Sequence, residues 1–272
     1  MLLQNKNAVI YGAGGSLGGA IAYAFAKEGA KVFVTGHHIE PVQQLADDII
    51  RAGGKAEAAE VDALNERSVN DFVSKVIKKE DTVDISLSLI KTKDIQGVPL
   101  VDLPLDDFTR PVRRVMESQF ITGTAAGRVM IKQGSGVILS LTATPGGIGY
   151  PHAGGFGPAC HVIENFSLGL ASELGPYGVR VVNIRSAGSP DSQVFKDAIA
   201  YGGDKAKEFI KKIEDDTMLK RMPLMEDIAN TAVFLASNMA AGITGVTVDV
   251  TCGTTTALNY KVPPIAFIQK NS

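Results

Sequence analysis

Tyr11-Gly12-Ala13-Gly14-Gly15-Ser16-Leu17-Gly18-Gly19 is the stretch whose residue types and spacing point most directly to chemistry, with five glycines in eight positions. Glycines so dense cost conformational entropy and are explained best by something that must approach the backbone closely. The run before them, Asn7–Tyr11, is apolar. The run after them, Leu17 to Glu28, sets Leu17, Ala20, Ile21, Ala24 and Phe25 on one helical face and stops at Gly29. Strand, glycine loop and helix N-terminus in that order offer free N–H groups and the positive end of a helix to an anion, which suits the diphosphate of a dinucleotide. Gly12 would allow the tight turn, Gly14 and Gly15 the approach of phosphate and Gly18 the packing of helix on strand, with Ser16 and Leu17 completing the cradle.

Two further positions bear on which dinucleotide. A free ribose 2′-OH prefers an acid at the end of the second strand, whereas a 2′-phosphate prefers donors. Thr35-Gly36-His37-His38 holds no acid, so NADP is expected over NAD, with His37 as donor; two solvated histidines are the alternative. Adjacent imidazoles are expected to point apart, and no metal site is expected. Val61-Asp62-Ala63 ends the third strand where an adenine would lie. Asp62 could accept from its exocyclic amine or cap the helix near Glu66, and the residues leave both open.

The elements that must position these residues alternate. Strands are expected at Lys31–Thr35, Ala56–Val61, Val83–Leu89, Gly136–Leu141, Val179–Ile184 and Val246–Val250, with helices at Pro41–Ala52, Glu66–Lys79, Leu105 to Lys132, Phe156–Leu174 and Met225–Ala236. The long helix is expected to break near Arg110-Pro111, and Ser189 to Lys212 reads as a looser segment. Strands apolar throughout belong to a parallel sheet covered on both faces. One α/β doubly wound Rossmann domain over residues 1–253, with a tail at 254–272, is the economical reading.

Composition excludes several classes. Of 272 residues 45% are hydrophobic and 21% charged, and 27 Lys+Arg against 29 Asp+Glu leave a net charge of −2, the range of ordinary globular chains. Without a basic field or any Trp, nucleic acid is a poor partner. Glycines and prolines interrupt the long uncharged stretches, so no membrane span is expected. Cys160 and Cys252 lack ligand spacing and read as free thiols in a reducing, cytoplasmic setting.

The glycine loop, Val61-Asp62-Ala63-Leu64, Gly134-Ser135-Gly136-Val137-Ile138, Ala171 to Asn183, Ser186-Ala187-Gly188 and Asp227 to Gly245 together resemble the short-chain dehydrogenase/reductase family over nearly the whole chain. The resemblance implies a seven-stranded parallel sheet, NAD(P) as cofactor with Gly188 near it, a small-molecule substrate, and homodimers or homotetramers packed through the helices around 105–132 and 156–174. Ser16 stands where the family's second motif glycine usually stands. The family's catalytic Ser, Tyr, Lys and Asn correspond here to Ala143, Phe156, Cys160 and Val115, and its Asn-Asn-Ala-Gly to Ser88-Leu89-Ile90-Lys91.

That Tyr delivers the proton and that Lys lowers its pKa, and loss of a positioned acid costs about 10²–10⁴ in rate. Tyr23 to Lys27 and Tyr201 to Lys205 match Tyr-x-x-x-Lys only by letters. Tyr150 and His152, on the Gly/Pro-rich loop Pro145–Gly157, are the best substitute proton donors, though packed or solvated roles compete. Cys160 beside His161 reads as a buried inert thiol. Two functions remain open: an NADP-preferring oxidoreductase with a non-standard proton donor acting on a small carbonyl, alcohol or imine, or a non-catalytic dinucleotide-binding protein serving as sensor or assembly partner.

Overall fold

The computed structural model describes residues 1–256 of the protein. Of the expected tail, only Thr254–Thr256 falls within this range, and Pro263-Pro264 lie outside the described residues. Seven strands form one parallel sheet: β1 (Asn7–Tyr11), β2 (Lys31–Gly36), β3 (Lys55–Glu60), β4 (Ile85–Ser88), β5 (Gly136–Ala143), β6 (Val179–Ser186) and β7 (Val246–Val250), in the order β3-β2-β1-β4-β5-β6-β7. The order reverses between β1 and β4. That switch point opens a crevice beyond their C-terminal ends, where ligands of such sheets bind.

Helices α1 (Ser16–Lys27), α2 (Ile39–Arg51) and α7 (Met225–Ala236) bury Ile21, Phe25, Val42, Ile49 and Ile228 against Ile10, Val32 and Leu139 on one face. On the other face, α3 (Glu66–Glu80), α4 (Leu105–Gln133) and α5 (Phe156–Leu174) bury Phe72, Val76, Met130 and Leu174 against Val9, Tyr11 and Phe33. Burial on both faces is complete at the centre of the sheet, where β1 and β4 are buried at every position, and fades at the edge strands β3 and β7.

Two expectations need correction, and one open alternative closes. α4 does not break at Pro111: it runs unbroken for 29 residues, and Pro111 lies within its first two turns. Its ring removes only the bond to the Asp107 carbonyl. The segment Ser189 to Lys212 is not loose. It is mostly helix α6 (Gln193–Asp216), bent at Gly203 where φ is 55° and ψ −133°, with i,i+4 pairs Gln193–Asp197 and Lys212–Asp216 on its surface. Asp62 does not cap α3. Asn65 does, accepting from the Ser68 amide at 3.1 Å, while Asp62 Oδ1 accepts from the Leu64 amide at 3.0 Å.

Candidate active site

The glycine loop leaves β1 at the switch point. Gly12 takes φ +73°, and a Cβ there would stand 2.6 Å from the Leu89 carbonyl oxygen at the end of β4. A Cβ on Gly18 would reach 2.9 Å from Ala13, the close helix-to-loop packing expected of it. Gly15, the N-cap of α1, is different. Among the described residues no atom lies within 4 Å of a Cβ placed there, and no side chain caps the helix. The first-turn amides of α1, on Ser16, Leu17 and Gly18, therefore stand beside open space with the helix's positive end behind them. This cradle fits a diphosphate.

Ser16 has a specific partner. Its Oγ accepts from the Gln193 amide at the start of α6, at 3.2 Å. Gly188 lies where α6 folds back: a Cβ on it would meet the Phe195 ring at 2.2 Å, so its close approach is to that side chain. Asp62 and Ala63 lie just past β3, with Ala63 buried. At the end of β2 the expectation that the histidines diverge is overturned. The His37 and His38 rings stack, with centroids 4.9 Å apart and planes at 2°. His38, in extended conformation, is the N-cap of α2, and among the described residues no side-chain hydrogen bond caps that helix. Among the described residues no group of three or more His, Cys, Asp or Glu could hold a metal, and no helix is long and apolar enough to cross a membrane.

Ala143 ends β5, Cys160 of α5 hydrogen-bonds to its backbone, and Phe156 opens α5 one turn before Cys160. Burial pushes the Cys160 thiol up to about 11; hydrogen bonding to the Ala143 backbone opposes the rise, Glu164 and Asp94 add to it, and Arg185 opposes it. Val115 is buried on α4 with Ala159 and Ile163 of α5. The four positions 115, 143, 156 and 160 thus carry no charge and no hydroxyl. Tyr150 is 38% exposed on the loop above, and His152 is exposed at φ +60°, its carbonyl accepting from Gly97 at 2.9 Å. Both lie on the rim. Tyr23 and Tyr201 lie exposed on α1 and α6, away from this recess.

Behind the recess is a polar network that the sequence reading did not assemble. Arg185 Nη2 donates to Glu164 Oε2 at 2.6 Å and to the Gly146 carbonyl at 3.1 Å, and Arg185 Nε donates to Glu164 Oε1 at 3.0 Å. Thr142 Oγ1 donates to the same carboxylate at 2.8 Å while accepting from Asn183 Nδ2 at 2.8 Å, and Ser140 Oγ donates to Asn183 Oδ1 at 2.9 Å. Glu164 holds the guanidinium pKa above its ordinary value. The pair clamps the turn after β5. Glu164 follows Cys160 by four residues on α5, so helical spacing was the available clue, but pairing it with Arg185 needed the strand register.

Residues 12–255 match the family described as Enoyl-(Acyl carrier protein) reductase. The chain is 30% identical over 261 residues to 7alpha-hydroxysteroid dehydrogenase of Escherichia coli (strain K12), covering 94% of this chain and 97% of that one. It is 28% identical over 249 residues to L-rhamnose 1-dehydrogenase (NAD(P)(+)) of Sphingomonas sp., covering 90% and 94%. In fold it is similar to the NAD+-bound xylitol dehydrogenase, with a TM-score of 0.86 at 22% identity over 93% of this chain and 100% of that one. The chain belongs to the short-chain dehydrogenase/reductase family of NAD(P)-dependent oxidoreductases. NAD(P) is its cofactor.

Proposed function

We propose that the protein is an NADP-preferring oxidoreductase of small organic carbonyls, alcohols or imines that does not take its proton from the family's tyrosine position. The observation that carries the reading is the cradle at Gly12–Gly18, open at Gly15 and backed by the N-terminus of α1. First-turn amides of α1 hold the diphosphate. His37, stacked on His38 at the N-terminus of α2, favours a 2′-phosphate, Thr35 to His38 holding no acid and Glu40 being the acid of that helix's first turn. Asp62 and Ala63 border the adenine. When bound, NADPH supplies a hydride; the chain supplies orientation and an apolar floor of Ala143, Phe156 and Val115 that excludes water. Tyr150 and His152 on the rim are the candidate proton donors. Two free cysteines suit a reducing cytoplasm, and Phe120 and Leu168, exposed on α4 and α5, suit a homodimer or homotetramer joined through those helices.

A second reading, a dinucleotide-binding protein without turnover, is favoured by that same apolar floor. Fluorescence titration with NADPH and NADH, followed by nicotinamide absorbance over a carbonyl and imine panel, separates the two. Tighter NADPH binding that His37→Asp reverses by about tenfold, together with turnover lowered by Tyr150→Phe or His152→Ala, is the expected result. Binding with no turnover on any substrate gives the second reading.

A further inference from the structure

Two buried hydroxyls stand side by side in the sheet without a partner. Tyr11 ends β1 and Ser88 ends β4, and the parallel register pairs them directly. Tyr11 is wholly buried and Ser88 is 4% exposed, and among the described residues their hydroxyls are the buried side-chain polar atoms that make no hydrogen bond. Such groups cost free energy unless something bonds to them. The side chains around them do not. Tyr11 packs edge-on against the Phe72 ring, and α4 brings Ala125 and Ala126 to the same cluster. Ser118 and Thr122 of α4 send their hydroxyl protons to their own helix, onto the Val115 and Ser118 carbonyls. Burial pushes the Tyr11 phenol far above its ordinary value, so the hydroxyl keeps its proton and needs an acceptor.

The same register continues across the sheet: Ser88 pairs with Ser140 of β5, Ser140 with Asn183 of β6, and Asn183 with Thr247 of β7. There the polar groups meet directly, Ser140 Oγ donating to Asn183 Oδ1 at 2.9 Å and Asn183 Nδ2 to Thr247 Oγ1 at 3.3 Å. With its proton on Asn183 and Ser167 Oγ at 2.9 Å as a donor, Ser140 Oγ keeps one free lone pair. We infer that one water molecule is a fixed part of this face, accepting from Tyr11 and Ser88 and donating to Ser140. Three bonds are what a buried water usually makes. Neighbouring strands lie about 4.8 Å apart, too far for Ser88 and Ser140 to bond directly and close enough for one water between them. The water joins the ends of β1, β4 and β5 one residue before Gly12 and Leu89, whose close approach starts the glycine loop.

A crystal structure of the full chain without nucleotide locates such a water, and oxygen-17 relaxation dispersion counts long-lived internal waters in solution. The crystals are expected to show one water within about 3.2 Å of Tyr11 Oη, Ser88 Oγ and Ser140 Oγ. Tyr11→Phe and Ser88→Ala are each expected to remove one long-lived water from the dispersion and to lower the folding equilibrium constant by about fivefold. The double variant is expected to lose that same single water, with a fall in the folding constant smaller than the product of the two single effects. A wild-type crystal without that water, unchanged dispersion in either single variant, two waters lost in the double, fully additive losses, or a Tyr11→Phe protein that folds more tightly than wild type overturns the inference.

Discussion

The Gln193 amide donates to the Ser16 hydroxyl at 3.2 Å, joining the first turn of α6 to the glycine loop across 177 positions of chain. The residue that departs from the family's glycine therefore has a job that glycine could not do. Ser16→Ala and Ser16→Gly both remove the acceptor, and one such hydrogen bond is worth about 1 kcal/mol net. In the nucleotide-free protein, amide exchange over the first turns of α6 is expected to quicken by about fivefold in both variants. Unchanged exchange would mean that Phe195 packing against Gly188 alone seats the helix.

The glycines separate into folding and binding roles. Gly12→Ala forces a side chain to φ +73° and against the Leu89 carbonyl, and is expected to lose about 2–4 kcal/mol of stability by denaturant titration. Gly15→Ala, at φ −88° with open space around it, is expected to leave stability within about 1 kcal/mol of wild type. Its methyl would stand where the diphosphate approaches, so NADPH affinity is expected to fall by at least about tenfold.

Cys160 makes stability pH-dependent. Its thiol ionises at about 11 in the fold against an ordinary value of 9.0, so between those values the unfolded chain has lost a proton that the native chain keeps. Stability therefore falls as pH rises through that window, by about 3 kcal/mol once above it. Denaturant midpoints below and above the window are expected to show a larger loss in wild type than in Cys160→Ala, which keeps the half-buried Cys252 and the buried Tyr11. The same burial predicts that thiol reagents label Cys252 well before Cys160 at neutral pH.

Much of this was legible because local signals agreed with the global fold. The apolar runs and glycine stops placed all seven strands within two or three residues, and the glycine loop fell where a strand meets a helix. What was missed depends on contacts between distant positions. Ser189 to Lys212 reads as a looser segment, yet α6 continues around the one non-helical residue Gly203, with acid–base and amide–acid pairs on its outer face. Pro111 looked like a stop, but it lies so near the start of α4 that one missing bond is all it removes. The His37–His38 stack required the backbone conformation at the α2 cap, and the Glu164–Arg185 pair required the placement of α5 over β6.

The Glu164–Arg185 clamp also limits what position 160 can become. A Cys160→Lys substitution would bring its ammonium beside a guanidinium that already acts on that site, one helical turn from a carboxylate fully engaged by Thr142 and Arg185. Like-charge repulsion disfavours that ammonium while the clamp stands, so a cation is accommodated there only together with a change in the network behind it.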